Sequence, residues 1–178
     1  MTAGTTQQKT PAVQEPTTQQ TPTTQRTIVR QPGEGPRHNV LGAGYLYKAL
    51  AVETGGTVTV MEAVFPPGVG APPHTHTHED EAFYILEGEM TFEIEGHHLP
   101  LRLAAGGFVL APRGGRHAFR NDSTREAKML VLALPGGLER MFGAFDEAVR
   151  RANGGMPPEA EIVAIAARSG VAVEPPPA

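Results

Sequence analysis

The sequence predicts an all-β domain, a sandwich or barrel of short strands, with a polar N-terminal tail and a helical C-terminal extension. Three observations carry this expectation. Apolar and polar residues alternate at period two through the middle of the chain. The 21 glycines and 17 prolines among 178 residues supply closely spaced turns. The period changes to that of a helix only after Pro135-Gly136-Gly137.

Residues 1–37 are rich in Thr, Gln and Pro and hold almost no large apolar side chains. Such a segment cannot bury enough surface to offset its chain entropy, so a disordered tail is expected, with Thr27-Ile28-Val29 able to dock as a short edge strand. The barrel is expected over residues 38–135. Val58, Val60 and Val64 fall on one face of a strand, with Glu62 breaking the apolar row. Met90, Phe92 and Ile94 alternate with Glu89, Thr91, Glu93 and Glu95, the pattern of a half-buried strand. Glu95-Gly96-His97-His98 turns the chain, and Leu99, Leu101 and Leu103 begin the next strand. Further strands are expected at 81–87, 107–111, 116–120 and 128–134. In the extension, residues 136–178, Leu138, Met141, Phe142, Phe145, Ala148 and Val149 recur at three- and four-residue spacing and define one helix face. A second helix is expected from Pro158 to Ser169, burying Ile162, Ile165 and Ala166, with Gly170 as its stop.

Composition excludes several functions. The formal net charge of −4, with Lys and Arg scattered, offers no field for nucleic acid. No run of 18 apolar residues could span a membrane, and no hydrophobic segment follows Met1, so a cytoplasmic protein is expected. With no cysteine there is no disulfide, and any metal must sit on nitrogen and oxygen ligands.

Two stretches concentrate the chemistry. Residues 68–88 read GVGAPPHTHTHEDEAFYILEG and residues 106–121 read GGFVLAPRGGRHAFRN. His74 and His76 are two apart, so both rings leave the same face of an extended segment. Glu81 follows five residues later, an odd spacing that requires a turn over Thr77-His78-Glu79-Asp80 before the next strand. His117 comes from far along the chain, and a barrel interior is where these four can converge. Three imidazoles and a carboxylate make a mononuclear metal site with open positions, suited to Fe, Mn, Ni, Co or Zn as one divalent transition metal. Strand parity places Phe83 on the Glu81 face and Phe119 on the His117 face, as pocket walls, with Phe92 in the core and Tyr84 facing outward. Glu79 and Asp80 read as solvated charges, His78 as an exposed turn residue, and His97 and His98 as hairpin surface. His38, ahead of the barrel, fits either a core or a surface place.

The two stretches resemble the paired motifs of the cupin superfamily. The first, G-x5-H-x-H-x3-4-E-x6-G, is met by Gly68, His74, His76, Glu81 and Gly88; the second, G-x5-P-x-G-x2-H-x3-N, by Gly106, Pro112, Gly114, His117 and Asn121. The resemblance implies a double-stranded β-helix, or jelly roll, in which His74, His76, Glu81 and His117 bind one metal and the barrel pairs as a homodimer. Pro135-Gly136-Gly137-Leu138-Glu139-Arg140-Met141-Phe142 and Ile165-Ala166-Ala167-Arg168-Ser169-Gly170-Val171 resemble the segments that follow the barrel in bacterial quercetinase-like proteins. That resemblance implies a dioxygenase that uses the metal and dioxygen on an enolic or aromatic small molecule, with Glu81 as the proton acceptor. Two other functions fit the same residues: an oxygen-independent isomerase, lyase or cyclase, and a non-enzymatic protein that binds a small ligand.

Overall fold

The computed structural model describes Met1 and residues 26–174. Most of the expected N-terminal tail therefore lies outside the described residues. Its last part runs without strand or helix along the domain. Arg30 forms an ion pair with Glu53 at 2.5 Å, and Lys48 Nζ donates to the carbonyls of Gln31 and Glu34. The chain then enters β1 (Arg37–Val40), β2 (Ala43–Ala49), the single helical turn α1 (Ala51–Thr54), β3 (Thr59–Phe65) and β4 (Gly70–His76). Next come β5 (Asp80–Glu87), β6 (Glu89–Ile94), β7 (Leu101–Ala104), β8 (Phe108–Ala111), β9 (His117–Arg120) and β10 (Ala127–Leu134). The extension supplies α2 (Glu139–Arg151), α3 (Glu159–Arg168) and β11 (Val171–Val173).

The strands form two antiparallel sheets, ordered β1-β2-β3-β10-β5-β8 and β11-β4-β9-β6-β7. This is the jelly-roll arrangement expected from the motifs. From β4 onward consecutive strands alternate between the sheets, apart from the β6–β7 hairpin, so residues distant in sequence meet across the interior. Met61, Phe65, Phe83, Ile85 and Met129 from the first sheet and Met90 and Phe92 from the second are almost wholly buried between them. No helix among the described residues is long and apolar enough to cross a membrane.

Strand β3 turns its faces the other way from the expectation. Thr59, Met61, Ala63 and Phe65 point inward, while Val60, Glu62 and Val64 are half-exposed. Glu62 decides the parity, because on the outer face it pairs with Lys128 at 2.8 Å and Lys48 at 3.4 Å, where an inward carboxylate would have no partner. The strand expected from Leu99 begins at Leu101, and Leu99 is exposed. Beyond the expected second helix, Val171–Val173 forms a strand on the edge of β4 that no periodicity announces.

Asn121, the last residue of the second motif, is wholly buried and closes the β3–β10 end of the sandwich. Its Nδ2 donates to the carbonyls of Phe65 and Arg125, both at 2.7 Å, and its Oδ1 accepts from the Ser123 backbone N–H and hydroxyl. Each polar group stranded by alanine at this position would cost about 1–3 kcal/mol. The residue type thus serves the turn and not the chemistry.

Helix α2 follows the expected apolar face, burying Met141, Phe142, Phe145, Ala148 and Val149. Its first residue is anchored: Glu139 accepts from the Thr59 hydroxyl at 2.6 Å and from the Ala51 N–H at 3.0 Å. The Phe142 ring packs tilted against Tyr45 of β2, with ring centroids 4.7 Å apart. Helix α3 buries Ile165 and Ala166 and leads through Gly170 into β11. The extension therefore covers one end of the sandwich, where β2 and β4 meet.

Candidate metal centre

Each histidine is placed by backbone register. His74 lies directly opposite His117 across the β4–β9 ladder, and β11 pairs Val173 with His74 and Val171 with His76 on the other side. The β4–β9 approach is close: a Cβ on Gly70 would sit 2.0 Å from the Phe119 carbonyl oxygen, so this motif-adjacent position admits only glycine. Beyond His76 the chain turns, pinned by Thr77, whose N–H and hydroxyl both donate to the Gly170 carbonyl. Gly170 has φ +77° and no room for a Cβ beside Thr77 and His78. Glu81 arrives from the opposite sheet, paired with Ala111 and Ala133.

The four expected side chains meet, and all are buried. Glu81 Oε2 lies 3.1 Å from His76 Nε2, 3.1 Å from His117 Nε2 and 3.8 Å from His74 Nε2. One potential ligand atom from each residue falls within 4.8 Å of all the others. The ring centres of His74 and His117 are 4.3 Å apart.

The far nitrogens of the rings explain the orientation. His74 Nδ1 meets the Pro72 carbonyl at 2.8 Å, His117 Nδ1 the Gly115 carbonyl at 3.1 Å, and His76 Nδ1 the Glu79 carboxylate at 3.3 Å. A carbonyl can only accept, so Nδ1 carries the proton in His74 and His117, and Nε2 is left with its lone pair toward the common point. This is the tautomer a metal requires, fixed by groups outside the ligand set. Three imidazole Nε2 atoms facing one carboxylate oxygen require a proton or a cation between them, so packing alone does not account for the arrangement. The donor set fits one borderline divalent cation, and the group could hold such an ion.

Glu79 corrects the sequence reading. It is buried and supports His76, where a solvated charge was expected. Asp80 does remain accessible, but it accepts from the Arg113 backbone N–H and from both Nε and Nη2 of Arg113. Those bonds lower its carboxyl pKa to about 2 and clamp the β4–β5 turn to the loop ahead of His117.

Burial by itself would raise the Glu81 carboxyl. The Nε2 edges of His117, His74 and His76, which donate to it when those rings are protonated, outweigh burial and hold the group well below the usual carboxylate range. Burial likewise opposes charge on His76, but Glu81 and Glu79 together raise its pKa. The site thus favours an ionised carboxylate, the form that ligates or accepts a proton.

The cluster opens into a cavity of about 310 Å³. His74, His76 and Glu81 form one end. Phe119 and Phe65 line its barrel side, and Met141, Phe142, Phe145 and Ile162 its helical side. Phe119 therefore lies on the cavity wall. Phe83 does not: it shares the face of Glu81 but lies deeper, fully buried against Phe92, Phe119 and the His117 ring. Parity identifies the face of a residue and not its depth along the barrel. His78, His97 and His98 are exposed, and His38 is half-buried with Nδ1 3.0 Å from the Tyr47 hydroxyl.

Comparison with known proteins agrees with this geometry. Residues 61–133 match the family described as a cupin domain, and that stretch contains all four clustered residues. The chain is 33% identical over 116 residues to quercetin 2,3-dioxygenase of Bacillus subtilis, covering 64% of this chain and 33% of that protein. It is 34% identical over 84 residues to polyketide synthase CurC of Streptomyces cyaneus, covering 47% of this chain and 53% of that protein. The chain thus spans a third to a half of the length of these curated relatives. Among solved structures, KdgF from Halomonas superposes with a TM-score of 0.56 at 20% identity, over 65% of this chain and 99% of KdgF, a likeness of fold.

The support given to His76 has a measurable consequence. Glu79→Ala should weaken Mn(II) or Co(II) binding by about 10- to 100-fold, read by competition with a chromophoric chelator. An unchanged affinity would show that the Glu79 contact does not orient the ligand.

Proposed function

Starting from a cupin-domain chain that resembles quercetinases, we propose that this protein is a metal-dependent dioxygenase acting on an enolic or aromatic small molecule. The observation that carries the proposal is a buried three-histidine, one-glutamate group at the end of an apolar cavity. The similarity to quercetin 2,3-dioxygenase supports the reaction class. In this reading His74, His76, His117 and Glu81 hold one divalent transition metal. When bound, that metal supplies Lewis acidity toward an enolate oxygen and electron exchange with dioxygen.

The remaining work falls to the chain. His74 and His117 keep Nε2 unprotonated because their Nδ1 protons are committed to backbone carbonyls. Glu81 accepts the proton of the substrate's enolic hydroxyl on a carboxylate oxygen, since its environment favours the ionised form. Phe119, Phe65 and Phe142 hold the ring system and keep water from the reacting carbon. Phe83 stands behind Phe119 and His117 and sets their positions.

A second reading keeps the metal and dispenses with dioxygen, as an isomerase, lyase or cyclase. The similarity to a protein named a polyketide synthase favours it. Turnover of the same substrate under argon would select this reading over the first.

We also propose a homodimer contact on the outer face of the first sheet. Tyr84, Phe108, Leu110 and Leu134 are exposed there on neighbouring strands, and among the described residues β8 is an edge strand. Sedimentation of the wild-type chain should give twice the mass of one chain, and Phe108→Glu should return it to a monomer. A monomeric wild type contradicts the contact.

For the reaction, metal-loaded wild type should consume oxygen with a flavonol probe, and Glu81→Gln should lower that rate about 100-fold or more once metal content is matched. Equal rates in an oxygen electrode would remove Glu81 as proton acceptor. Absence of uptake in the wild type with every first-row metal would remove the dioxygenase reading itself.

A further inference from the structure

One polar group in the cavity has no assigned task. Tyr45, on β2, lines the cavity and is only 5% exposed. Its ring is held between Phe65, at a centroid distance of 5.9 Å, and Phe142 of α2, at 4.7 Å. Its hydroxyl makes no hydrogen bond among the described residues. Nor is it sealed in protein: among the described residues, the enclosed side-chain polar atom that lacks a partner is Arg30 Nε, not the Tyr45 oxygen. The hydroxyl therefore opens onto the cavity space.

A hydroxyl that opens onto a mostly apolar cavity adds nothing to packing, which phenylalanine would serve as well. The neighbouring Tyr47 shows the contrast, since its hydroxyl is paired with His38. The rest of the cavity sharpens the chemistry. No Lys or Arg lines it among the described residues, whereas Glu81, Glu159 and Glu174 do. Away from the metal group, an anionic substrate would meet Glu159 and Glu174, of which, among the described residues, only Glu174 is balanced, by Arg116 at 2.7 Å. The size, about 310 Å³, is at the small end of ligand sites and suits one molecule of two or three rings.

Resting on the dioxygenase-type site proposed above, we propose that Tyr45 is a substrate-binding residue: its O–H donates to an oxygen of an uncharged polycyclic substrate, remote from the oxygens that face the histidine cluster. The substrate is thus held at two points, one at the cluster and one on β2, with the apolar rings between. Burial, then the charge of Glu81, then Tyr47, all raise the phenol pKa well above its usual value, which keeps the donor protonated. The anchoring also involves the extension, because Phe142 of α2 fixes the Tyr45 ring from the outside. Specificity for the pattern of oxygens would follow, since a site built to bond a substrate oxygen discriminates against the analogue lacking it.

The test uses the full metal-loaded chain under argon, so that binding is read without turnover. Quercetin and 3-hydroxyflavone share one 3-hydroxy-4-carbonyl pair; quercetin adds a 5-hydroxyl beside that carbonyl and hydroxyls at positions 7, 3′ and 4′ remote from it. Tyr45→Phe should weaken quercetin about tenfold and 3-hydroxyflavone less than twofold, with metal content and thermal midpoint unchanged. Equal weakening of both probes, no weakening of either, or failure of the wild type to bind quercetin would overturn the proposal. Should Tyr45→Phe fail to fold, wild type labelled with fluorotyrosine carries the test. Of its three tyrosine signals, assigned with Tyr84→Phe and Tyr47→Phe, that of Tyr45 should shift with quercetin and not with 3-hydroxyflavone. The same shift for both probes, or for neither, contradicts the role. Selective binding without oxygen uptake in air would keep Tyr45 in its place and reject the dioxygenase reading alone.

Discussion

The interaction on which the rest depends is the meeting of one carboxylate with three imidazoles out of reach of water. Glu81 and His117 are 4% and 2% exposed, and His74 and His76 are similarly hidden. An isolated carboxylate at that depth would be driven toward its neutral form. It remains ionised because three imidazole edges face it, ready to share a proton or a cation with it, and the imidazoles remain aimed because carbonyls and Glu79 occupy their other nitrogens. The group is self-consistent only with every part present. Removing any one would leave buried polar atoms without partners.

That requirement accounts for the architecture. The histidines stand on one sheet and the glutamate on the other, so the site exists only when both sheets are packed. The β4–β9 register sets His74 against His117, and Gly70 allows the two backbones to close. The extension adds a second layer of control. It anchors through Glu139 at one end and through β11 at the other, and between these points its helices wall the cavity. Without the helices the cluster would face solvent across an open sandwich end. With them, a substrate is drawn from water into an apolar space whose polar groups are few and directional.

The ligand set was readable from sequence because motif spacing encodes it. The i, i+2 histidines need only a strand, and the odd step to Glu81 needs only a turn. The parts that were missed depend on three-dimensional depth or on short local contacts. Phe83 has the right face and the wrong depth. Glu79 looks like its exposed neighbour Asp80, yet a single turn brings it beneath His76. Val60 and Met61 are equally apolar, so alternation alone did not choose the inner face of β3, and the Lys partners of Glu62 come from other strands. A strand of three residues such as β11 carries no periodic signal. Tyr45 and Tyr47 are indistinguishable by pattern, and only the structure shows that one hydroxyl is paired and the other is open to the cavity.

The convergence of four ligands on one cation is tested most directly by anomalous scattering. Crystals of the full chain, grown without chelator, would be measured on either side of the absorption edges of the first-row metals. One peak is predicted, about 2.0–2.2 Å from the Nε2 atoms of His74, His76 and His117 and from an oxygen of Glu81. A map with no peak at that point, or with a metal held through Nδ1 or by other side chains, would contradict the account.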